Sequence, residues 1–307
     1  MKKNLIFLIL SLLPFTYQLA QGQTDATEVV VNKPVRFVWE SGYLIDQQTS
    51  KISPVNTLES VIQHKFGTME NGKQDLFGIM SPGANVRIAL DFVILKNVQI
   101  GYGIQKKNMY SDFNAKWAPI LQMNHGMPIS VSFFGNVAID GRQKSVWEAD
   151  RYNRSSDNYP GSTYTFRTSN RLSYFSEVTI DRKFNEVLTL QGAVSFSHFN
   201  TVPWHQDHDK VGLHAGGRIK VTPQGSIIFN ADFPLQIKKL SEQADFTVKP
   251  EPVVSFGYEV STSTHAFQIY AGSNDTLLPQ DMMLNNVRKL DWKNFAIGFT
   301  ITRLWGF

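Results

Sequence analysis

Large apolar and small or polar residues alternate along most of this chain, most compactly in its final thirteen residues. In F-A-I-G-F-T-I-T-R-L-W-G-F, Phe295, Ile297, Phe299, Ile301, Trp305 and Phe307 share one parity, broken only by Arg303. Ala296, Gly298, Thr300, Thr302 and Gly306 share the other, with Leu304 as the exception. A period of two sends successive side chains to opposite faces of a strand. On an edge strand in water such an apolar face invites sheet-to-sheet association. Facing lipid in a closed barrel, it is satisfied.

The same pattern recurs upstream. Val61 to Gly67 is the first predicted stave, with poorly distinguished faces. Val86, Ile88, Leu90, Phe92 and Ile94 then alternate with Asn85, Arg87, Ala89, Asp91 and Val93. Only Leu95-Lys96-Asn97 separates them from Val98, Ile100, Tyr102 and Ile104, so the two runs predict a hairpin. Comparable runs lie around Phe113, Val131, Val178, Val194, Leu213, Phe229, Phe256 and Ile269. The total is about twelve strands, each long enough to cross a bilayer with tilt. Brief connections (Leu95–Asn97, the turn around Asn185, Thr222–Gly225, Ser261–Thr264) alternate with long ones (Thr68–Ala84, Ala138–Asn170, Asn200–Asp209, Leu235–Glu251, Gly272–Asn294). The expected fold is all-β: a single transmembrane antiparallel up-and-down β-barrel of outer-membrane type. A soluble β-sandwich is the rival, since alternation alone fits both.

Composition narrows the compartment. Met1 to Gln23 opens with Lys2 and Lys3, continues with an apolar run from Leu5 to Phe15, and offers Ala20 and Gly22 before Gln23. That order predicts a signal peptide over 1–22 rather than an anchor, which needs about 20 apolar residues. Residues 23–58 then form a periplasmic N-terminal segment or plug, and 59–307 the barrel. Val35 to Trp39 reads as a short strand or as a segment tucked into the barrel mouth. Thirty basic and 26 acidic residues give +4, and losing Lys2 and Lys3 leaves 28 − 26 = +2. That excess is too small to argue for nucleic acid. The chain has no cysteine, which excludes disulfides, thiolate metal sites and a cysteine nucleophile.

Chemistry concentrates on the inward parity. Arg87, Asp91, Asp112, Lys116, Arg171, Glu177, Asp181, Lys210, Arg218, Lys220, Asp232 and Glu259 all fall there. Burying Arg87 and Asp91 in a dry sandwich core would be costly, and a wet lumen removes that cost. The mixed signs fit either a water-filled path or a lumen closed by internal ion pairs. Among Arg87, Asp91, Lys116, Arg218 and Lys220 the bases outnumber the acids, so an open path would weakly prefer anions. His205, Asp207 and His208 are weak metal candidates that need a turn to converge; a polar outer loop is the plainer reading. Ser195 and Ser197 lie near His198, but parity puts the serines inward and His198 outward. No G-x-S-x-G elbow occurs, and no cofactor is expected.

Several phrases carry a resemblance: His64-Lys65-Phe66-Gly67, Leu76-Phe77-Gly78, Lys116-Trp117 with Gln122, His265-Ala266-Phe267-Gln268, and Phe295 through Arg303. They resemble a family of outer-membrane β-barrel proteins known from Bacteroidetes genomes and classified as a domain of unknown function. The resemblance spans Val35 to Phe307 and implies fold and location, leaving activity open. The closing strand also resembles the C-terminal signal read by the outer-membrane assembly machinery, which would make that machinery, with outer-membrane lipid, a partner. Three functions follow in order: a narrow channel or uptake pore for small solutes, a non-conducting barrel that binds a ligand or envelope partner through its extracellular loops, and, distantly, an outer-membrane hydrolase.

Overall fold

The computed structural model describes residues 32–147, 166–203, 206–237 and 249–307. The signal peptide expected over 1–22, and the segment up to residue 31, lie outside the described residues. Two short strands, β1 (Tyr43–Leu44) and β2 (Gln47–Gln48), pair as a hairpin of their own. Twelve longer strands follow: β3 (Thr57–Thr68), β4 (Asn85–Leu95), β5 (Val98–Gln105), β6 (Ser111–Ile120), β7 (Ser130–Ile139), β8 (Leu172–Lys183), β9 (Leu188–Phe199), β10 (Asp209–Lys220), β11 (Gly225–Leu235), β12 (Val253–Ser261), β13 (His265–Gly272) and β14 (Ala296–Gly306). Each pairs antiparallel with its sequence neighbours, and β14 pairs with β3 to close the barrel. Two short helices, α1 (Lys144–Trp147) and α2 (Pro279–Asn285), lie in connections.

Alternation sets which side of the wall each residue occupies. Along β4, Asn85, Arg87, Ala89, Asp91 and Val93 are buried, whereas Ile88 and Leu90 are about half exposed. The outward residues elsewhere are as apolar: Ile100, Ile104, Phe113, Phe256 and Ile269 are all exposed. Lipid is the solvent that suits that surface. The strands of 11 and 12 residues, at about 3.3 Å per residue and tilted about 45°, span the roughly 25 Å apolar band of such barrels.

Short turns collect at one end of the barrel, at 96–97, 184–187, 221–224 and 262–264, together with the longer 121–129. The other end carries 69–84, the brief 106–110, 273–295 and the described parts of the connections after β7, β9 and β11. The barrel begins at Thr57, and the buried Val61 stands among the inward Glu59, Gln63 and Lys65, which explains why that stave looked poorly polarised. Val35 to Trp39 is not a strand. Pro34 bridges Met123 at the short-turn end, the chain turns, and Trp39 is buried in the mouth.

Candidate functional site

The barrel's interior is occupied, and from both ends. From the short-turn end enters the hairpin β1–β2 with its flanks. Gly42 is buried, as are Tyr43, Leu44, Ile45, Gln47, Thr49 and Ser50. Almost no regular partner is available to so short a hairpin, so its polar groups bond to the wall. Ile45 N donates to Gln268 Oε1 (3.0 Å), and Gln268 Nε2 donates back to Tyr43 O (2.8 Å). Gln47 Nε2 reaches Asp232 Oδ1 (2.7 Å), and Gln191 Nε2 reaches Gln47 Oε1 (2.8 Å). Tyr43 Oη donates to Asp91 Oδ2 (2.9 Å), and Ser50 N to Asp181 Oδ2 (3.3 Å).

From the long-loop end, residues 273–286 of the β13–β14 connection fold inward and carry α2 with them. Leu278, Gln280, Asp281, Met282, Met283 and Leu284 are buried. Met282, Met283 and Leu284 join Phe134, Phe175, Phe199, Val202 and Val253 in an apolar cluster. Gln280 Nε2 donates to Asn136 Oδ1 (2.8 Å) on β7. The inserts converge on one wall residue. Lys65 is fully buried, with Nζ 2.7 Å from Asp46 of the hairpin and bonded to Asn274 Oδ1 of the other insert.

Several inward charges are paired or hydrogen-bonded in place. Arg87 grips Asp112 with two bonds (Nε to Oδ2 2.9 Å, Nη2 to Oδ1 2.6 Å) and donates to Gln63 Oε1 (3.0 Å). The glycines of Gly101-Tyr102-Gly103 make room for this. A Cβ on Gly103 would stand 2.6 Å from Asp112 Oδ2 and 2.7 Å from Arg87 Nη2, and one on Gly101 would collide with Asp91. Lys116 Nζ donates to Gly42 O (3.3 Å) and Gln48 Oε1 (3.4 Å). Arg218 meets Glu40 of the hairpin at 3.1 Å and Glu259 at 4.0 Å. The Arg87–Asp112 pair is bidentate and charge-assisted, the strong kind.

Most inward assignments from the sequence are therefore where parity put them, with two corrections. Arg171 precedes β8 and does not line the barrel; its Nη1 bonds to Asp140 O (2.7 Å) and Arg142 O at the long-loop mouth. Parity fails there because the strand has not begun. Lys220 ends β10 and is only half-buried. As for the metal candidates, Asp207 is ion-paired to Lys210 (2.6 Å), His208 Nδ1 is bonded to Phe199 O (2.6 Å), and His205 lies outside the described residues.

Sequence reasoning tested Ser195 against His198, which indeed faces outward and bonds Asp209. It missed His214. Across the wall, His214 Nε2 is 2.7 Å from Ser195 Oγ, and its Nδ1 is 2.7 Å from Asp232 Oδ1. The order is that of an acyl-transfer triad. Met283 closes over it: a Cβ on Gly212 would stand 2.6 Å from Ser195 Oγ and 2.7 Å from Met283 Sδ. Only the register between β9 and β10, which pairs Ser195 with Gly212 and Ala193 with His214, could have shown this.

The inward loop is tied down at the mouth. Asp275 accepts from Lys107 Nζ (3.2 Å) and Arg288 Nη2 (2.8 Å). Burial pushes the Asp275 carboxyl up, but the two cations outweigh it and hold it below the usual carboxylate range. A depressed carboxylate adds stability above its unfolded pKa and loses it as pH falls through the lowered value. Burial also acts on Asp281, and there it prevails over Lys107, so that carboxyl is pushed up. Asp281 gains nothing from ionising where it sits. Asp275→Asn is thus expected to loosen the insert at neutral pH by about 1 kcal/mol, since the pair is part-exposed, or roughly a fivefold rise in its displaced population. Asp281→Asn should leave it seated. Protease accessibility of residues 273–288 distinguishes the two.

A closed antiparallel barrel with a lipid-compatible exterior and a charged, filled lumen defines a membrane β-barrel protein. Residues 39–305 match the family described as membrane bound beta barrel domain (DUF5777), and the chain belongs to it. No curated protein matches. Among solved structures the chain is similar to the NanC porin (7% identity, TM-score 0.45, covering 81% of this chain and 99% of that one). It is similar also to the KdgM porin (6%, 0.42, 82% and 99%). A third is an outer-membrane channel from Pseudomonas putida F1 (12%, 0.49, 85% and 100%).

Proposed function

We propose that this protein is an outer-membrane barrel that passes small solutes and is shut at rest by its two inserts. The observation that supports this reading is Lys65, which bonds to both inserts at once inside a polar lumen. A lumen filled only for stability is served as well or better by apolar packing, because buried ion pairs recover little more than their desolvation cost. Here most of the inward wall is polar or charged, Phe134, Phe175, Phe199 and Val253 under α2 excepted, so water can replace the inserts without exposing an apolar pipe. The test is planar-bilayer conductance of the intact protein against a variant lacking both inserts. If both are silent, the channel reading is rejected.

A second reading rests on a separate observation. A cavity of about 370 Å³ at the long-loop mouth is lined by Tyr110, Trp147, Arg142, Arg171, Asp281 and Asn285, among others. Aromatic walls with a few convergent polar groups suit a small ligand, so a non-conducting barrel that binds its ligand through the outer loops remains the alternative. The Ser195–His214–Asp232 row keeps hydrolysis third, and unlabelled Ser195 after treatment with a fluorophosphonate would remove it.

Orientation follows the barrel rule that short turns face the periplasm. Single cysteines replacing the exposed Lys73 and Lys293 are expected to react with an impermeant maleimide on intact cells. Those replacing Lys96 and Gln224 should react only once the outer membrane is opened. The reverse pattern would invert the barrel.

A further inference from the structure

The phrase Leu76-Phe77-Gly78 takes no part in the lumen, and its geometry is unusual. Leu76, Phe77 and Gly78 adopt consecutive left-handed conformations (φ 53°, 57° and 88°). Only the glycine is at ease there, and the two bulky residues are strained. Gly78 is required for a second reason, since a Cβ would stand 2.1 Å from Gly67 O. The tip is locked in place. Asp75 Oδ1 accepts from Gly78 N (2.9 Å), Gly72 O from Phe77 N (2.7 Å), and Gly78 O from Gly67 N of β3 (3.0 Å). What this scaffold displays is apolar: Leu76 is 51% exposed, Phe77 42% and Met80 69%. The 3-10 turn over Met69–Asp75 packs against the one over Trp292–Asn294, which adds Leu290 at 60% and Trp292 at 59%.

A contiguous apolar patch of this kind needs a partner, and the surface around it says which. Met69 N bonds Phe295 O (2.9 Å), and Phe295 packs on the outward Phe256 (6.2 Å). Just below, His64, Phe66 and Phe299 cluster on the outer face of β3 and β14. The patch therefore continues the lipid-facing wall beyond the strand ends. Its rim is also of interfacial type: Lys293 Nζ lies over the Trp292 ring (5.9 Å), and Lys73 and Lys289 are exposed beside it. A tryptophan with flanking lysines is the composition that settles at a bilayer's headgroup boundary.

We propose that the Leu76–Met80 tip and the Leu290–Trp292 segment together form a knob that inserts into the outer leaflet at the headgroup boundary. The knob fixes the position of the long-loop end. Because the Leu290–Trp292 segment is the return leg of the β13–β14 connection, one end of the inward loop is held by lipid.

Cysteine variants F77C and M80C, labelled with the environment-sensitive fluorophore NBD, test this in the full chain reconstituted into phosphatidylcholine vesicles with and without acyl-brominated lipid. Ile269→Cys on the outer wall of β13 supplies the lipid-exposed reference, and Gln224→Cys, exposed in the short turn at the opposite end, the watery one. Blue-shifted emission at 77 and 80, with quenching comparable to that at 269, is expected. Emission like that at 224, or blue-shifted emission that bromolipid does not quench, would overturn the proposal, the first because water and the second because protein covers the knob. Should either variant lose the heat-modifiable mobility of a folded barrel, bromolipid quenching of Trp292 replaces it, read as wild type minus Trp292→Phe. No Trp292 quenching would count equally against the knob.

Discussion

Replacing residues 40–50 and 277–286 with short flexible linkers is expected to turn a silent barrel into one that conducts in discrete steps. Each replacement alone should give smaller or rarer openings, because the inserts fill the lumen from opposite ends and are bridged by Lys65. The sequence pointed to a weak anion preference. The charges on the wall argue for the opposite sign. Once the inserts are gone, the buried strand residues exposed to the path are Glu59, Asp91, Asp112, Glu177, Asp181, Asp232 and Glu259 against Lys65, Arg87, Lys116, Lys210 and Arg218. Acids outnumber bases, and rings of fixed charge set selectivity. Reversal potentials in a salt gradient should therefore favour cations, more strongly for Lys65→Gln in the same background. An anion-selective path would mean that ions travel past a different set of residues.

The second large effect is on stability. Arg87→Leu removes three hydrogen bonds and strands Asp112, which is 0% exposed and already receives Asn136 Nδ2 at 2.9 Å. Breaking one side of a buried pair costs about 3–5 kcal/mol, most of it the penalty of leaving the other charge unmatched. The urea midpoint for loss of the compact, heat-modifiable form should fall accordingly. Arg87→Leu combined with Asp112→Leu should recover much of the loss, since no orphan charge remains. If the double variant is no better than the single one, the pair is not the source of the effect.

How much of this could be read from the chain depends on the kind of signal each part carries. The staves were legible because lipid on one side and polar groups on the other force a strict period of two, as in Ile88 and Leu90 against Arg87 and Asp91. The hairpin over Tyr43–Gln48 was not, because it is buried on every side and has no faces to alternate. Over 23–58 the sequence offers no more than an N-terminal segment or plug, without an element at Tyr43–Gln48. The inward loop was misassigned to the solvent, although Leu277-Leu278 and Met282-Met283-Leu284 are a poor composition for an outer loop. The long Ala138–Asn170 connection falls mostly outside the described residues. Among the site residues, parity located side chains on the inner wall but said nothing of which strand they face across it. Asp112 with Arg87, and His214 with Ser195, required the register.

The hairpin has a consequence for how the barrel can be made. Its bonds reach from Ile45 and Tyr43 to Gln268, 223 and 225 positions along the chain. Yet it precedes every stave and is synthesised before them. Gln268, on the penultimate strand β13, comes late, which makes the hairpin a segment that must wait, its polar backbone held by water, while the sheet is laid down. Contacts this distant in sequence form slowly. Once the sheet begins to curl, however, the hairpin can act as a mandrel: a small polar rod with bonding groups on every side, around which the wall is wound until β14 meets β3.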